Sequence, residues 1–246
     1  MKRFYTLLKN ELRLSIRDMN MVIFGIIMPL AVFVVLGIIY RSKPAYEGAD
    51  YTFLDQSFGA VCAVSVCAGG LMGLPLVVSD YREKKILKRF KATPASPALL
   101  LGAELAVYIL YSAVSLITLA AAGIIAGVKL YGSAGAFLGS WALTVISTLS
   151  IGMMVGGIAK NTKQAGVIAS ILYFPALIFS GTTLPFEIMP ELMQKIVRLF
   201  PLTQGIELMK SSFLGTISES SIIAVFVMLL TGAVCSGISV KFFKWE

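Results

Sequence analysis

The chain has 246 residues, of which 57% are hydrophobic and 14% charged, and this is too apolar for a soluble domain of its length. Histidine is absent from the sequence, which excludes His-based acid–base catalysis and His metal ligands. The net charge of +8 comes from basic residues beside apolar segments, so it indicates membrane topology and anionic lipid rather than a nucleic-acid partner.

Residues 1–20 have the pattern of an amphipathic interfacial helix, and residues 21–40 form the first span. The span has 20 residues, enough to cross about 30 Å of hydrocarbon. It is too long for the apolar core of a signal peptide, and it ends in Tyr40-Arg41 rather than at a small-residue cleavage site. Pro29 predicts a kink within it. One stripe of the interfacial helix contains Phe4, Tyr5, Leu8, Leu12 and Ile16.

A polar loop at residues 41–55 leads into the second span at 56–79. Gly69, Gly70 and Gly73 form a patch of small residues in this span, where we expect another helix to approach closely. Cys62 and Cys67, like Cys235 near the C-terminus, lie in apolar stretches without a zinc-binding spacing. We therefore expect the cysteines to pack as small hydrophobes and expect no metal site.

Residues 80–97, DYREKKILKRFKATPASP, are the densely charged part of the chain and carry six of its 21 Lys and Arg residues. Tyr81, Ile86, Leu87 and Phe90 recur at helical spacing, which predicts a short amphipathic helix that ends at the prolines. Two interpretations remain open from these residues alone. The run is either a loop that orients the protein in the membrane or a docking helix for a soluble partner.

The third span is predicted at 98–128, the fourth at 134–159 and a short fifth at 165–180. Glu104 lies near the start of the third span, either as an interfacial residue or as a buried partner for a cation. Gly152 and Gly156 in the fourth span have the spacing of a helix-packing motif, which is a weak signal in a glycine-rich membrane helix.

Residues 181–219 contain three prolines and two short amphipathic pieces, neither of which can cross a bilayer alone. We interpret them as a re-entrant helical hairpin, with two surface helices on an outer loop as the alternative. The sixth span is predicted at 220–240. The fold class is thus an all-α membrane protein with six transmembrane helices, an N-terminal interfacial helix, and a hairpin between spans 5 and 6.

The charge bias gives this arrangement an orientation. Fifteen of the 21 Lys and Arg residues lie on the side that holds both termini and residues 80–97. The positive-inside rule therefore places that side in the cytoplasm.

The sequence lacks the residue patterns that several kinds of activity need. It contains no Gly-x-x-x-x-Gly-Lys-[Ser/Thr] motif, so this chain is not expected to bind nucleotide phosphates as a P-loop does. Few ionisable residues fall within the spans, which disfavours a proton- or sodium-coupled transporter. A helical pathway without its own energy source remains.

Two motifs carry a resemblance to the membrane subunits of type 2 ABC exporters, the ABC-2 permeases. Residues 82–94, REKKILKRFKATP, resemble the cytoplasmic stretch that follows the second span of these proteins. Phe179-Ser180-Gly181 and the later Pro201-Leu202-Thr203 resemble the signature between the last two spans. Lys85 departs from the pattern, because the family commonly has a small residue there, often Gly.

The resemblance implies a partnership. Such permeases pair with a second copy or a paralogue and bind two cytoplasmic P-loop ATPase subunits. The ATPase subunits would hold the ATP and Mg. This chain would be a transporter subunit and not itself an enzyme. The ATPase-coupling residues would be Arg82, Glu83, Lys84, Leu87, Lys88, Arg89, Phe90, Thr93 and Pro94. The hairpin would close the outer end of the pathway through Gly181, Pro185, Pro190, Pro201, Thr203 and Glu207.

We therefore expect an exporter subunit in the cell membrane that moves a small amphipathic compound such as a drug, an antibiotic or a lipid-like molecule. The outer loop at 41–55 is short, which favours a small substrate. Export of a polysaccharide or lipid-linked glycan is the alternative within the class, and a secondary transporter or a membrane-bound scaffold is the alternative outside it. A glycan pathway would have an aromatic lining, for which the spans offer Phe24, Phe33, Tyr108, Tyr111, Tyr173 and Phe174.

Overall fold

The computed structural model describes residues 2–17, 19–40, 43–45, 48–91, 96–178, 201–216 and 219–243. All helices and strands longer than a single bridge within these residues are helices. An isolated β-bridge joins Pro44 to Thr52. The α-helices are α1 Lys2–Arg17, α2 Met19–Val22, α3 Met28–Tyr40, α4 Phe53–Cys67, α5 Leu74–Glu83, α6 Ile86–Lys91, α7 Pro97–Ala126, α8 Ala134–Ile158, α9 Thr162–Ile178, α10 Pro201–Leu214 and α11 Glu219–Phe242.

Five helices among the described residues are long and apolar enough to cross a membrane. They are Ile23–Tyr40, Phe53–Glu83, Pro97–Ala126, Ala134–Ile158 and Ser221–Phe242. Helix α9 lies where the fifth span is predicted and has 17 residues, a length of about 26 Å at the usual rise per residue. The five long helices establish a multi-pass architecture, and the fifth of the six predicted spans, at 165–180, stays a prediction.

Two short π-helical turns interrupt the first and second spanning helices, at Ile23–Ile27 and Ala68–Gly73. Each turn ends two residues before a proline, Pro29 or Pro75. Proline has no backbone N–H, so the carbonyl four residues earlier loses its helical partner. For Pro29 that carbonyl belongs to Gly25, and it accepts a hydrogen bond of 2.8 Å from the Ser65 hydroxyl. The prolines thus set the positions of the π turns, which sequence reasoning did not predict.

The two largest clusters of the core lie towards opposite ends of the bundle. At one end, buried Leu74, Val78, Leu87 and Leu100 form a cluster against which α1 packs. At the other end, Phe33, Phe58, Phe137 and Phe213 stack edge-on or tilted at centroid distances of 4.6–6.2 Å. The helices are therefore held together both near the charged α5–α6 region and far from it.

Close backbone contact joins α8 to the second spanning helix through the predicted glycines. A side chain at Gly152 would overlap the Gly70 carbonyl oxygen, and one at Gly156 would lie 2.7 Å from Val78 Cβ. Both glycine patches that the sequence pointed to therefore meet each other. Their packing role inside one chain is confirmed.

The described half of the predicted hairpin is α10, which is buried on nearly all sides. Leu202, Thr203, Ile206, Met209 and Phe213 are each at most 5% exposed, and α10 packs against α4, α8 and α11. A helix at the surface of an outer loop would expose one face to solvent. Helix α10 is therefore part of the bundle, whereas residues 179–200 lie outside the described residues and the re-entrant course stays a prediction.

Candidate functional site

The charged stretch after the second span forms the junction between α5 and α6. The sequence predicted one short amphipathic helix, and the structure instead has two helices separated by a turn at Lys84 and Lys85. Lys85 has a φ of 56°, in the left-handed region that favours glycine. This conformation gives a physical reason for the small residue that the resembling family commonly has at this position.

Arg82 lies inside the bundle, with 9% of its surface exposed. Its Nη1 donates hydrogen bonds to the carbonyl oxygens of Gly156 at 2.9 Å and Ala159 at 2.7 Å. These carbonyls belong to the last turn of α8 and its cap, where helical hydrogen-bond partners run out and a cation is favourable. The guanidinium carbon also lies 6.0 Å from the centre of the Phe243 ring. Arg82 therefore caps α8 and is not part of an exposed docking face.

Glu83 contacts the beginning of the next helix. Its Oε2 accepts hydrogen bonds from the Thr162 backbone N–H at 3.0 Å and from the Thr162 hydroxyl at 2.8 Å. A carboxylate at the first turn of a helix satisfies an unpaired N–H and lies at the positive end of the helix dipole. Glu83 thus joins the end of α5 to the start of α9, a contact that sequence reasoning did not predict.

The cations available to a partner are carried by the remaining basic residues of the stretch. Lys84, Lys85, Lys88 and Arg89 are all exposed, and Lys84 pairs with Asp80 at 2.8 Å. Leu87 is fully buried on the opposite side of α6 and holds this short helix to the core. We call the surface formed by Lys84, Lys85, Lys88 and Arg89 the basic face.

The other predicted coupling residues have separate outcomes. Phe90 is partly buried and packs against the same cluster as Leu87, so it helps to hold α6 against the core. Thr93 and Pro94 lie outside the described residues. The structure therefore places Arg82, Leu87 and Phe90 on the inner side of the junction, where they support the basic face, whereas Glu83 is exposed and joins the junction to α9.

A second polar cluster lies directly behind this junction. The Tyr81 hydroxyl is 2.6 Å from Glu11 Oε2 and 2.8 Å from Glu104 Oε1. Glu11 and Glu104 are 7% and 5% exposed and Tyr81 is partly buried, so α1, α5 and α7 meet at two buried carboxyl groups and the tyrosine between them. Glu104 is therefore buried, but not as the partner of a cation: its partners are a tyrosine and a second carboxyl group. Its depth in the membrane stays a prediction.

The residues predicted for the outer gate lie at the opposite end of the bundle. Gly181, Pro185 and Pro190 are outside the described residues, and Pro201 is the first residue of α10. Thr203 is 5% exposed within the bundle. Glu207, one turn further along α10, lines a polar cavity of about 220 Å³.

Within the described residues, no group of three or more His, Cys, Asp or Glu side chains is placed to hold a metal ion. The polar groups at the α5–α6 junction are used to cap helices and to join them. What the geometry provides is a rigid charged surface attached to several membrane helices at once.

The fold is that of a multi-pass membrane protein with a charged helix after its second span. Comparisons with known proteins make the assignment specific. The family model described as ABC-2 type transporter matches residues 2–214. The chain belongs to the ABC-2 type transporter family. The predicted resemblance is confirmed, and with it the class of ABC transporter membrane subunit.

Individual relatives agree with this assignment. The inner membrane transport permease YhhJ of Escherichia coli (strain K12) is 30% identical over 159 residues, which cover 61% of this chain and 41% of the relative. Nodulation protein J of Neorhizobium galegae is 29% identical over 102 residues, covering 42% of this chain and 37% of that protein. The chain thus spans about two fifths of the length of the curated relatives that it matches.

Proposed function

We propose that this chain is the transmembrane subunit of an ATP-driven exporter that moves a small amphipathic compound out of the cell. Energy would come from two separate cytoplasmic ATPase subunits that bind ATP and Mg, and the pathway would form with a second permease chain. The observation that supports this most directly is the basic face, which is exposed although the helix that carries it is fixed to the core by buried Leu87.

The mechanical argument follows from the connections of α5. Helix α5 continues the second spanning helix, Arg82 attaches it to the end of α8, and Glu83 attaches it to the start of α9. A force applied to α6 by a closing ATPase would therefore pass through the two-residue turn at Lys84 and Lys85 and reach the second spanning helix, α8 and α9. Such a direct connection is what a shift between inward- and outward-open states requires.

The orientation is part of the proposal. The excess of Lys and Arg near both termini and in residues 80–97 favours a cytoplasmic location for the α5–α6 junction, in the inner membrane as in the relative from Escherichia coli. The ATPases would then be on the same side as the basic face. The Phe53 end of the second spanning helix would face outwards.

The placement of aromatic side chains supports a small amphipathic substrate over a glycan. Phe33, Tyr108 and Tyr111 are buried inside this chain's own core, whereas Phe24 and Phe174 are exposed on separate helices. They do not form one continuous lining along a single face. Export of a polysaccharide or lipid-linked glycan stays the second candidate within the class.

Transport into inside-out membrane vesicles tests the proposal against a secondary transporter. Vesicles that contain this chain and its ATPase should accumulate an amphipathic dye in the presence of ATP, and vanadate should abolish accumulation while an ionophore that collapses the ion gradient should not. Dye accumulation that depends on the ion gradient and is insensitive to vanadate would contradict the proposal of an ATP-driven exporter. Complete absence of ATP-dependent movement for glycan precursors and dyes alike would favour a scaffold.

A further inference from the structure

The polar cavity at the end of the bundle far from the basic face has the features of a ligand site. It lies between the start of α4, the second half of α10 and the start of α11, and its volume is about 220 Å³. This is smaller than the roughly 300–1,000 Å³ typical of pockets for drug-sized molecules. Its polar lining includes Tyr51, Gln56, Glu207, Lys210, Ser211 and Thr216.

Two of these side chains lack a partner where one is expected. Glu207 and Gln56 are both partly buried, and within the described residues the structure shows no hydrogen bond or ion pair for the Glu207 carboxylate and no hydrogen bond for the Gln56 side-chain amide. A partly desolvated carboxylate is costly unless a cation or a hydrogen-bond donor compensates it. The two side chains together present three oxygen acceptors to a ligand in the cavity.

An apolar groove adjoins the polar cavity. It has a volume of about 330 Å³, and Leu208 and Ser221 line both spaces. The rest of the groove is formed by one face of α8 and the start of α11, including Gly139, Leu143 and Ile222, of which Ile222 is 69% exposed. The groove therefore opens towards the surface where the membrane is expected.

The wall between the two spaces needs no further hydrogen-bond partner. The Ser140 and Ser212 hydroxyls are 2.6 Å apart, and Ser211 donates to the Leu208 carbonyl oxygen at 3.1 Å. Of these two spaces, the polar cavity is thus the one whose described lining leaves polar groups without a partner, while the groove beside it is apolar. A ligand that fits both spaces has a small polar head and a hydrocarbon chain.

We propose that this paired site binds a phospholipid whose zwitterionic headgroup carries a primary ammonium. The ammonium N–H groups would donate to Glu207 and Gln56, the phosphate would lie on the side of Lys210, and an acyl chain would occupy the groove. A primary ammonium fits better than a quaternary one because the two partners accept hydrogen bonds. The site goes beyond the proposed function, and in the proposed orientation it faces the outer leaflet.

Retention of lipid by the purified full-length chain tests the site. The protein is equilibrated in detergent with an equimolar mixture of phosphatidylethanolamine and phosphatidylglycerol, and native mass spectrometry counts the lipids that stay bound. The wild type should retain phosphatidylethanolamine preferentially. Glu207→Gln keeps the shape of the side chain but removes its charge, so this preference should fall by about tenfold or more, the range for loss of a charge-assisted hydrogen bond.

Two further variants make the result specific. Asp50→Asn removes one negative charge from an exposed residue and should leave the preference unchanged. Gly139 has open space where a side chain would begin, so Gly139→Leu should fill the groove and reduce the retention of both lipids. Equal retention of the two lipids by the wild type, or an unchanged preference in Glu207→Gln, would overturn the proposal. Because the ATPase is not involved, this result is independent of the test of the proposed function.

Discussion

Arg82 and Glu83 are consecutive residues that contact the two sides of the turn between α8 and α9. Arg82 donates to the Ala159 carbonyl oxygen at the end of α8, and Glu83 accepts from the Thr162 backbone N–H at the start of α9. The Arg-Glu pair that marks the resemblance in the sequence thus has a structural role at the α8–α9 turn. The charges that face the proposed ATPase come after this pair, on the basic face.

Charge reversal at Arg82 should therefore affect folding before it affects coupling. Arg82→Glu removes the two hydrogen bonds to α8 and places a carboxylate among carbonyl oxygens, which we expect to cost about 3–5 kcal/mol, as when one partner of a buried charge interaction is lost. The measurement is the thermal unfolding temperature in detergent. Lys88→Glu, at an exposed site, is the control and should leave this temperature nearly unchanged.

Charge reversal on the basic face should act on coupling instead. Lys88→Glu combined with Arg89→Glu leaves Leu87 and the core intact, so the chain should insert and fold normally. In reconstituted vesicles, ATP hydrolysis should continue while transport per ATP falls, because the predicted contact with the ATPase is reversed in charge. A double variant with normal transport and normal ATP use would remove the basic face from the mechanism.

The sequence predicted what depends on local composition and missed what depends on contacts between distant residues. Five long helices lie where spans are predicted, because long apolar runs in a membrane leave the backbone few alternatives to helix. The burial of Arg82 was missed because its partners are carbonyl oxygens 74 and 77 residues away. The cluster of Tyr81, Glu11 and Glu104 was missed for the same reason, although a lone glutamate in an apolar span was its visible signal.

Gly152→Ala should destabilise the protein strongly. Its new side chain would overlap the Gly70 carbonyl oxygen, and backbone on both sides prevents easy relaxation. We expect a loss of about 1–3 kcal/mol, as for overpacking in a core. Gly139→Ala on the same helix meets open space and should be neutral or slightly stabilising. Equal unfolding temperatures for the two variants would contradict the close approach of α8 to the second spanning helix.

Lys85→Gly should stabilise the turn between α5 and α6. A left-handed conformation costs a non-glycine residue about 1–2 kcal/mol, and Lys85 has a φ of 56°. The unfolding temperature should rise by a few degrees. Lys84, with a φ of −79°, provides the matched position, and Lys84→Gly should lower the temperature or leave it unchanged. A fall in Lys85→Gly would show that the side chain itself stabilises the turn.

Substitutions in the Tyr81 cluster should differ in sign. A phenol has one hydrogen to donate and two carboxyl groups lie within 2.8 Å of it, so the cluster is fully satisfied only when one carboxyl is protonated. Glu104→Gln removes that requirement and should maintain or raise the unfolding temperature near neutral pH. Tyr81→Phe leaves the two carboxyl groups without their shared partner and should cost about 1–3 kcal/mol. The interpretation fails if Glu104→Gln is as destabilising as Tyr81→Phe.

The central claim, that the basic face docks a separate ATPase, is tested most directly by purifying the C-terminally tagged chain gently from its native membrane and identifying what stays bound. The account predicts a soluble subunit with a P-loop, in a ratio of one to each permease chain, and a reduced yield of it from the Lys88→Glu, Arg89→Glu variant. A single species from the wild type, unchanged after crosslinking, would contradict the claim and direct attention to the ion gradient as the energy source.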